Sequence, residues 1–252
     1  MNQLPESPTA VAGRNPVLEL LRSQRTLECI YIQSGLGKGP LGRIIAMAKD
    51  RGIPVKDATA QRLQTLTGVD SHQGVAAVVS AWDYATLDQV VAAAGDSPLF
   101  LVLCDGIQDP HNLGAIIRTA EAAGAHGVVI PKRHSAGLTA TAVKAAAGAA
   151  AHLPVVRVSN LTATMDQLKQ DHNLWFYCAD MQGAPWCQTD FGGGVGLVIG
   201  SEGDGVSRLV REHCDFTVSL PMLGQVGSLN ASVAAGVILY EIARQRQGIP
   251  AR

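Results

Sequence analysis

From residue 99 onward, short runs of Val, Leu, Ile and Phe recur along the chain, and most are followed by a stretch with helical spacing. The runs are LFLVLC (99–104), GVVI (127–130), Leu153–Val158, LWFYCA (174–179), VGLVIG (195–200) and Asp215–Leu220. Most are apolar throughout, without the polar alternation of a half-exposed strand. That pattern belongs to strands buried on both faces, which in practice means a parallel sheet covered by helices. The composition agrees, with 47% hydrophobic residues, only 4% aromatics and abundant glycine. The fold class is α/β.

The first third of the chain repeats the theme on a smaller scale. Residues 1–12 lack a pattern and read as a disordered tail. Asn15-Pro16 looks like a cap with proline at the first helical position, followed by Val17, Leu18, Leu20 and Leu21. A strand over Leu27–Gln33, a glycine-rich loop to Pro40, a helix over Leu41–Arg51, a short strand at Ile53–Lys56, a helix over Thr59–Leu66 and a strand over 74–80 complete a small α/β domain at 13–80. Residues 81–97 read as a linker carrying a short helix, and 98–252 as the larger domain. Within the larger domain, an Ala/Gly-rich helix is expected over 138–151.

Net charge is −1, so the chain is no wholesale polyanion binder. Between Arg14 and Arg62, however, nine Lys/Arg stand against four Asp/Glu, either a phosphate-facing surface or solvated charge. The five cysteines (29, 104, 178, 187, 214) form no CxxC pair. They read as reduced core thiols, which points to a cytoplasmic protein without a disulfide framework or a metal site. No apolar run approaches the roughly 18 residues needed to span a bilayer, and the N-terminus has no secretion-signal pattern.

Chemistry is expected where loops leave the carboxyl ends of parallel strands. Three such loops, 105–114, 200–205 and 221–230, combine glycine with polar residues. No correctly placed GxGxxG, GxxxxGK[ST], HExxH or GxSxG accompanies them. Asp109-Pro110 caps a helix on which Leu113, Ile116, Ile117 and Ala120 share the core face, while Gly114, Arg118 and Glu121 point elsewhere. The third loop opens a long apolar helix, capped by Ser228 or Asn230, whose first turns hold Ala231, Ser232, Ala234, Ala235 and Gly236. So many small residues imply that another backbone or a ligand comes very close.

Taken together, Asp109-Pro-His-Asn112-Leu-Gly114-Ala-Ile-Ile-Arg118, Gly200-Ser-Glu202-Gly203-Asp-Gly205 and Leu220-Pro-Met222-Leu-Gly224 with Ser228-Leu229-Asn230 resemble the three ordered motifs of the SpoU (TrmH-type) RNA ribose 2′-O-methyltransferases of the SPOUT superfamily. Gly13-Arg-Asn-Pro and His72-Gln-Gly74 are similar to that family's N-terminal substrate-binding domain, and the combination is closest to its RlmB branch, which acts on a guanosine of 23S ribosomal RNA. Position 201 is serine where relatives often carry alanine or proline. The resemblance implies a C-terminal trefoil knot, S-adenosylmethionine as cofactor and a homodimer, with ribosomal RNA as substrate and transfer RNA as the alternative. A catalytically inactive RNA-binding protein on the same scaffold is the other reading, and the intact motif residues count against it. It implies cofactor contacts at Gly200, Leu220, Met222, Gly224 and Leu229, and catalytic roles for Arg118, Asn112, Glu202, Ser228 and Asn230.

Arg118 then acts either as base or as an anchor for phosphate and the developing oxyanion. A guanidinium holds its proton far above neutral pH, which favours the anchor, and the plain alternative is an ion pair with Glu121. Asn112 orients the ribose or caps its helix. Glu202 bonds a ribose, holds Arg118 or simply favours a helix N-terminus. His72 and His111 read as structural, and Lys144 is balanced between RNA contact and solvation.

Overall fold

The computed structural model describes residues 10–22, 25–36, 38–80 and 83–250. They fall into two compact units, one reaching to Asp83 and including Gly137–Ala140, the other made of Tyr84–Ala136 and the chain from Thr141 on.

In the first unit, β1 (Ala10–Ala12), β2 (Leu27–Gln33), β3 (Val55–Ala58) and β4 (Val75–Val79) form a sheet in the order β1-β4-β2-β3. β4 runs antiparallel to β1 and β2, whereas β2 and β3 are parallel. Its central place explains why all five of its residues are buried. Helices α1 (Arg14–Arg22), α2 (Lys38–Asp50) and α3 (Ala60–Thr67) accompany the sheet, and Val17, Leu21, Leu41, Ile44 and Ala48 join Ile30 and Ala77 in one core. Thr59 caps α3 by accepting from the Arg62 amide at 3.1 Å.

The expected tail is corrected at its end. Residues 10–12 are an edge strand paired with Ala76–Val78, an Ala-Val-Ala segment too short to show periodicity and fixed only by its partner; residues 1–9 lie outside the described residues. α1 starts at Arg14, after Gly13 turns the chain at φ 98°, so Pro16 sits inside the first turn, where its missing N–H costs nothing. α2 likewise starts earlier than expected and absorbs Pro40. Part of the basic excess is structural. The Arg51 guanidinium donates to the carbonyls of Leu20 (3.1 Å), Leu21 (2.8 Å) and Arg25 (3.0 Å) around the end of α1, and Arg22 pairs with Glu19.

The second unit is a six-stranded sheet in which every paired neighbour is parallel. β5 (Phe100–Asp105), β6 (Gly127–Pro131), β7 (Val155–Val158), β8 (Leu174–Pro185), β9 (Gly194–Gly200) and β10 (Phe216–Ser219) lie in the order β10-β8-β9-β5-β6-β7. Helices α4 (Leu87–Ala94), α5 (Pro110–Ala122), α6 (Ala140–Ala145), α7 (Leu161–His172), α8 (Arg208–Glu212) and α9 (Ala231–Arg246) alternate with them.

Three expectations change here. The proposed linker is part of this unit: Ala85 bridges Val156, Thr86 and Gln89 close a capping box, and Val90 is fully buried beside Leu101 and Val129. Residues 81–82 lie outside the described residues. A short alanine-rich helix looks like a spacer in sequence because its burial rests on Val90 and Ala94, one turn apart. The helix expected over 138–151 stops at Ala145 and resumes as a 3-10 turn at Ala149–Ala151, because Ala147 (φ 50°) and Gly148 (φ 94°) turn the chain left-handed. Finally, β8 does not end at Ala179. Its pairing with β10 jumps from Cys178↔Thr217 to Ala184↔Val218, so an intervening bulge carries Ala179–Gly183.

Cys29, Cys104 and Cys178 are buried, but Cys214 is only partly so and Cys187 is exposed, which corrects the reading of all five as core. Among the described residues no helix is long and apolar enough to cross a membrane, and no group of three or more His, Cys, Asp or Glu could hold a metal ion.

Candidate active site

The site is assembled from three loops at the carboxyl ends of β5, β9 and β10. After β5, the Asp109 carboxylate accepts the His111 amide at 2.8 Å, and Pro110 opens α5. Leu113, Ile116, Ile117 and Ala120 are fully buried, which fixes the helix's rotation. Gly114 faces α6 so closely that a Cβ there would lie 2.4 Å from the Ala142 carbonyl oxygen and 2.5 Å from the Ala145 Cβ. Asn112 is turned inward at 8% exposure, whereas Arg118 and His111 are exposed. His72, in the first unit, is buried and its Nδ1 accepts the Gly74 amide at 3.0 Å, a structural role.

After β9 the chain folds into a tight turn. Ser201 and Gly205 exchange backbone hydrogen bonds, both 3.0 Å, with Gly205 at φ 67°, and Glu202 sits at the tip. The turn is tied to β5, since the Ser207 amide donates to Asp105 at 2.7 Å. Beneath it, burial and the Asp105 carboxylate push the Cys104 thiol up to about 12, so it stays protonated. Gly200 needs to be glycine because of this turn. A Cβ there would fall 2.0 Å from the Gly205 carbonyl carbon and 2.1 Å from the Val206 nitrogen.

After β10, the loop returns to Asn230, which caps α9; Ser228 does not. The Asn230 Oδ1 accepts from the amides of Ser232 (3.0 Å) and Val233 (3.3 Å) and from the Ser232 hydroxyl (2.6 Å). With the oxygen so engaged, its NH2 must face the other way. There it donates to Asn112 Oδ1 at 3.0 Å and to the Glu202 carboxylate, while the Asn112 NH2 donates to that same carboxylate at 2.9 Å. One residue from each loop thus joins a single directional network that ends on Glu202. This places Asn112 and Glu202 with each other rather than with a helix cap or Arg118.

Beside the network lies a cavity of about 440 Å³. Of the expected cofactor positions, Gly200, Leu220, Met222 and Leu229 line it, together with Glu202 and Ser228. Gly224 is not in the wall; it is exposed, with open space where a Cβ would stand. Asn112 and Arg118 are not in the wall either. Among the described residues no hydrogen bond or ion pair joins Arg118 to Glu121 or Glu202. Among the small residues of α9, Ala231 and Ala234 face the cavity, while Gly236 faces Thr119 of α5, whose Cγ2 lies 3.6 Å from where a Cβ would be, an ordinary contact.

Sequence reasoning missed the far wall, Ala179, Asp180 and Met181, which the β8 bulge delivers. The signal was Gly183, a lone glycine in a strand pattern. A Cβ on it would lie 2.4 Å from the Thr217 carbonyl carbon. Asp180 is held there by Arg211 at 2.6 Å. Asp105 and Ser232, which hold the turn and the Asn230 amide, were missed as well.

A parallel α/β domain with three polar strand-end loops meeting at one cavity, preceded by a small α/β unit, matches two known families in order. The family described as SpoU rRNA Methylase matches residues 99–240, and that described as RNA 2'-O ribose methyltransferase substrate binding matches residues 10–85. The chain belongs to the SpoU rRNA methylase family of RNA methyltransferases. Among its relatives is YacO of Bacillus subtilis (strain 168), assigned to the TrmH family of tRNA/rRNA methyltransferases, 46% identical over 95% of this chain and 96% of that protein. A TrmH-family relative from Staphylococcus saprophyticus is 43% identical over 95% of this chain and 96% of its own length. Among solved structures, the SpoU methyltransferase AviRb from Streptomyces viridochromogenes in complex with AdoMet superposes with a TM-score of 0.61 at 28% identity, covering 95% of this chain and 90% of that one.

Proposed function

We propose that the protein transfers a methyl group from S-adenosylmethionine to a ribose 2′-hydroxyl of RNA, with a guanosine of 23S ribosomal RNA as the target. The observation that carries this reading is the Asn112–Glu202–Asn230 network at the rim of a strand-end cavity. The cavity suits the cofactor: its volume lies in the range of small-molecule sites. Its wall alternates backbone-rich glycine turns with the apolar side chains of Leu220, Leu229 and Ile238. Gly200, Leu220, Met222 and Leu229 are the residues that would hold it, and AviRb, a relative of the same fold, was solved with AdoMet. When bound, the cofactor supplies the electrophilic methyl group.

The chain's own residues have the remaining tasks of holding the ribose and stabilising charge as the 2′-hydroxyl loses its proton. Glu202 and Ser228 face the cavity as hydrogen-bonding groups for the sugar, and the two asparagines fix the direction of the Glu202 carboxylate. Arg118, exposed and without an acidic partner among the described residues, is the cation for the adjacent phosphate and the developing oxyanion. Ribose hydroxyls look alike on every nucleotide, so we assign choice of RNA to residues 13–80. The trefoil threading of 98–252 and a homodimer belong to the same reading. Val233, Val237 and Tyr240, exposed at 51%, 39% and 56%, form an apolar stripe on α9 fitted to a second copy.

Incubation with labelled S-adenosylmethionine and total RNA, followed by mapping of the labelled nucleotide, tests the proposal. Label on a guanosine 2′-oxygen of 23S RNA supports it, label on transfer RNA moves the substrate, and no label on any RNA overturns it. Arg118→Ala should lower the rate about a hundred- to a thousandfold while cofactor binding persists.

A further inference from the structure

Between Glu121 and Asp166 the chain contains no carboxylate, although the protein as a whole carries a net charge of −1. The same stretch holds Lys132, Arg133, Lys144 and Arg157. Where the fold puts them is informative. Lys132–Ala136 leaves the carboxyl end of β6 and is bound to the loop that leaves β5: the Ala136 amide and the Ser135 hydroxyl both donate to the Ile107 carbonyl, at 2.7 and 3.3 Å. The loop is thus fixed beside the approach to α5. It is also braced from β7, where Arg157 packs 5.3 Å from the Tyr84 ring and donates to the Lys132 carbonyl at 3.4 Å.

Arg157 is therefore engaged in holding the loop, but Arg133 is exposed, and no hydrogen bond or ion pair to its side chain occurs among the described residues. The same holds for Lys144. It stands on α6, whose neighbouring residues Ala142, Ala145 and Ala146 press against Gly114, one turn before Arg118. Two unpaired cations on separately anchored elements thus flank the helix that presents Arg118. Arg22, Lys169, Arg208, Arg211 and Arg244, by contrast, have carboxylate partners.

We propose that Arg133 and Lys144 form a phosphate-binding track for RNA on the methyltransferase domain itself, gripping the backbone next to the target ribose. The proposal rests on the RNA-modifying reading above and adds the surface that seats the strand locally, whichever RNA residues 13–80 select. A stretch of chain without carboxylates suits a polyanion, and charges on braced elements lose little freedom when a phosphate arrives.

The test is the full-length double variant Arg133→Gln, Lys144→Gln, with Arg208→Gln as a control cation. Binding to a mixed-sequence single-stranded oligoribonucleotide is measured across a salt series, cofactor binding by calorimetry, and methylation of total RNA as KM and kcat. Two lost phosphate contacts should flatten the slope of log K against log salt by about 1.4. KM for RNA should rise, with kcat and cofactor affinity near wild type, and Arg133→Lys should restore most of the binding. An unchanged slope and KM in the double variant overturns the track, as does an equal loss in Arg208→Gln. Failure of the underlying function looks different, because wild-type protein would then methylate no RNA while the salt series remained measurable.

Discussion

Asn230 performs two tasks that a suitable pair of substitutions can separate. Its oxygen caps α9, and its amide NH2 links Asn112 to Glu202. Alanine at 230 removes both. Loss of the cap costs about 1 kcal/mol, and Asn112, only 8% exposed, keeps an acceptor without its donor, which adds about 1–2 kcal/mol. The expected total is about 2–3 kcal/mol. Serine caps a helix as well as asparagine does, so Asn230→Ser should retain the cap and lose only the second part. Yet both variants leave the Glu202 carboxylate without its Asn230 donor. If its orientation serves the transition state, both should lose methyl transfer alike, about a hundred- to a thousandfold. Urea unfolding gives the stabilities, and single-turnover methylation at saturating cofactor gives the rates. A serine variant that methylates at the wild-type rate would refute the network's role and leave Asn230 as a cap alone.

Gly200→Ala should damage the 201–205 turn rather than plug the cavity, since the new Cβ meets backbone at 2.0 Å; a loss of about 1–3 kcal/mol together with weakened cofactor binding is expected, and calorimetry showing a stable variant with normal affinity would contradict it. A fragment beginning at Tyr84 should fold and bind S-adenosylmethionine without methylating ribosomal RNA, whereas one beginning at Ser97 loses α4 and exposes the core around Val90; circular dichroism and calorimetry compare them. His126, whose Nδ1 accepts the Phe100 amide at 2.9 Å, has its pKa lowered by burial and by the nearby Arg246. The unfolded chain therefore binds this proton more readily. The stability it contributes is complete above the unfolded value of about 6.5 and is lost as pH falls toward the lower folded value. Thermal melts should show that His126→Gln, which keeps an acceptor, flattens this part of the acid dependence.

What could be read from the sequence, and what could not, follows from the range of the forces involved. Buried strands announce themselves, because a two-faced burial admits only apolar residues, and the six runs from 99 on all became strands of one parallel sheet. Caps are equally local: Asp109, Thr59 and Asn230 each satisfy amides within three residues. The three site loops were visible for the same reason, since each couples a strand end to a cap or a tight turn.

The unread features depend on partners far along the chain. Gly200 lines the cavity and is also pinned by Val206, and Gly114 is pinned by Ala142, and no spacing rule reports such an approach. The β8 bulge exists because Gly183 lets Thr217 come close, and without it Asp180 would not reach the cavity wall. The direction of the amide network is the deepest case. Asn112, Glu202 and Asn230 are common polar residues in any loop. Only the Ser232 hydroxyl and two α9 amides, by occupying the Asn230 oxygen, oblige its NH2 to face Glu202. A helix cap chosen for local reasons thereby sets the polarity of a network spanning three loops. The stability of α9 and the orientation of Glu202 are therefore coupled, and a substitution that frays the first turn of that helix should disturb the carboxylate even where it touches neither.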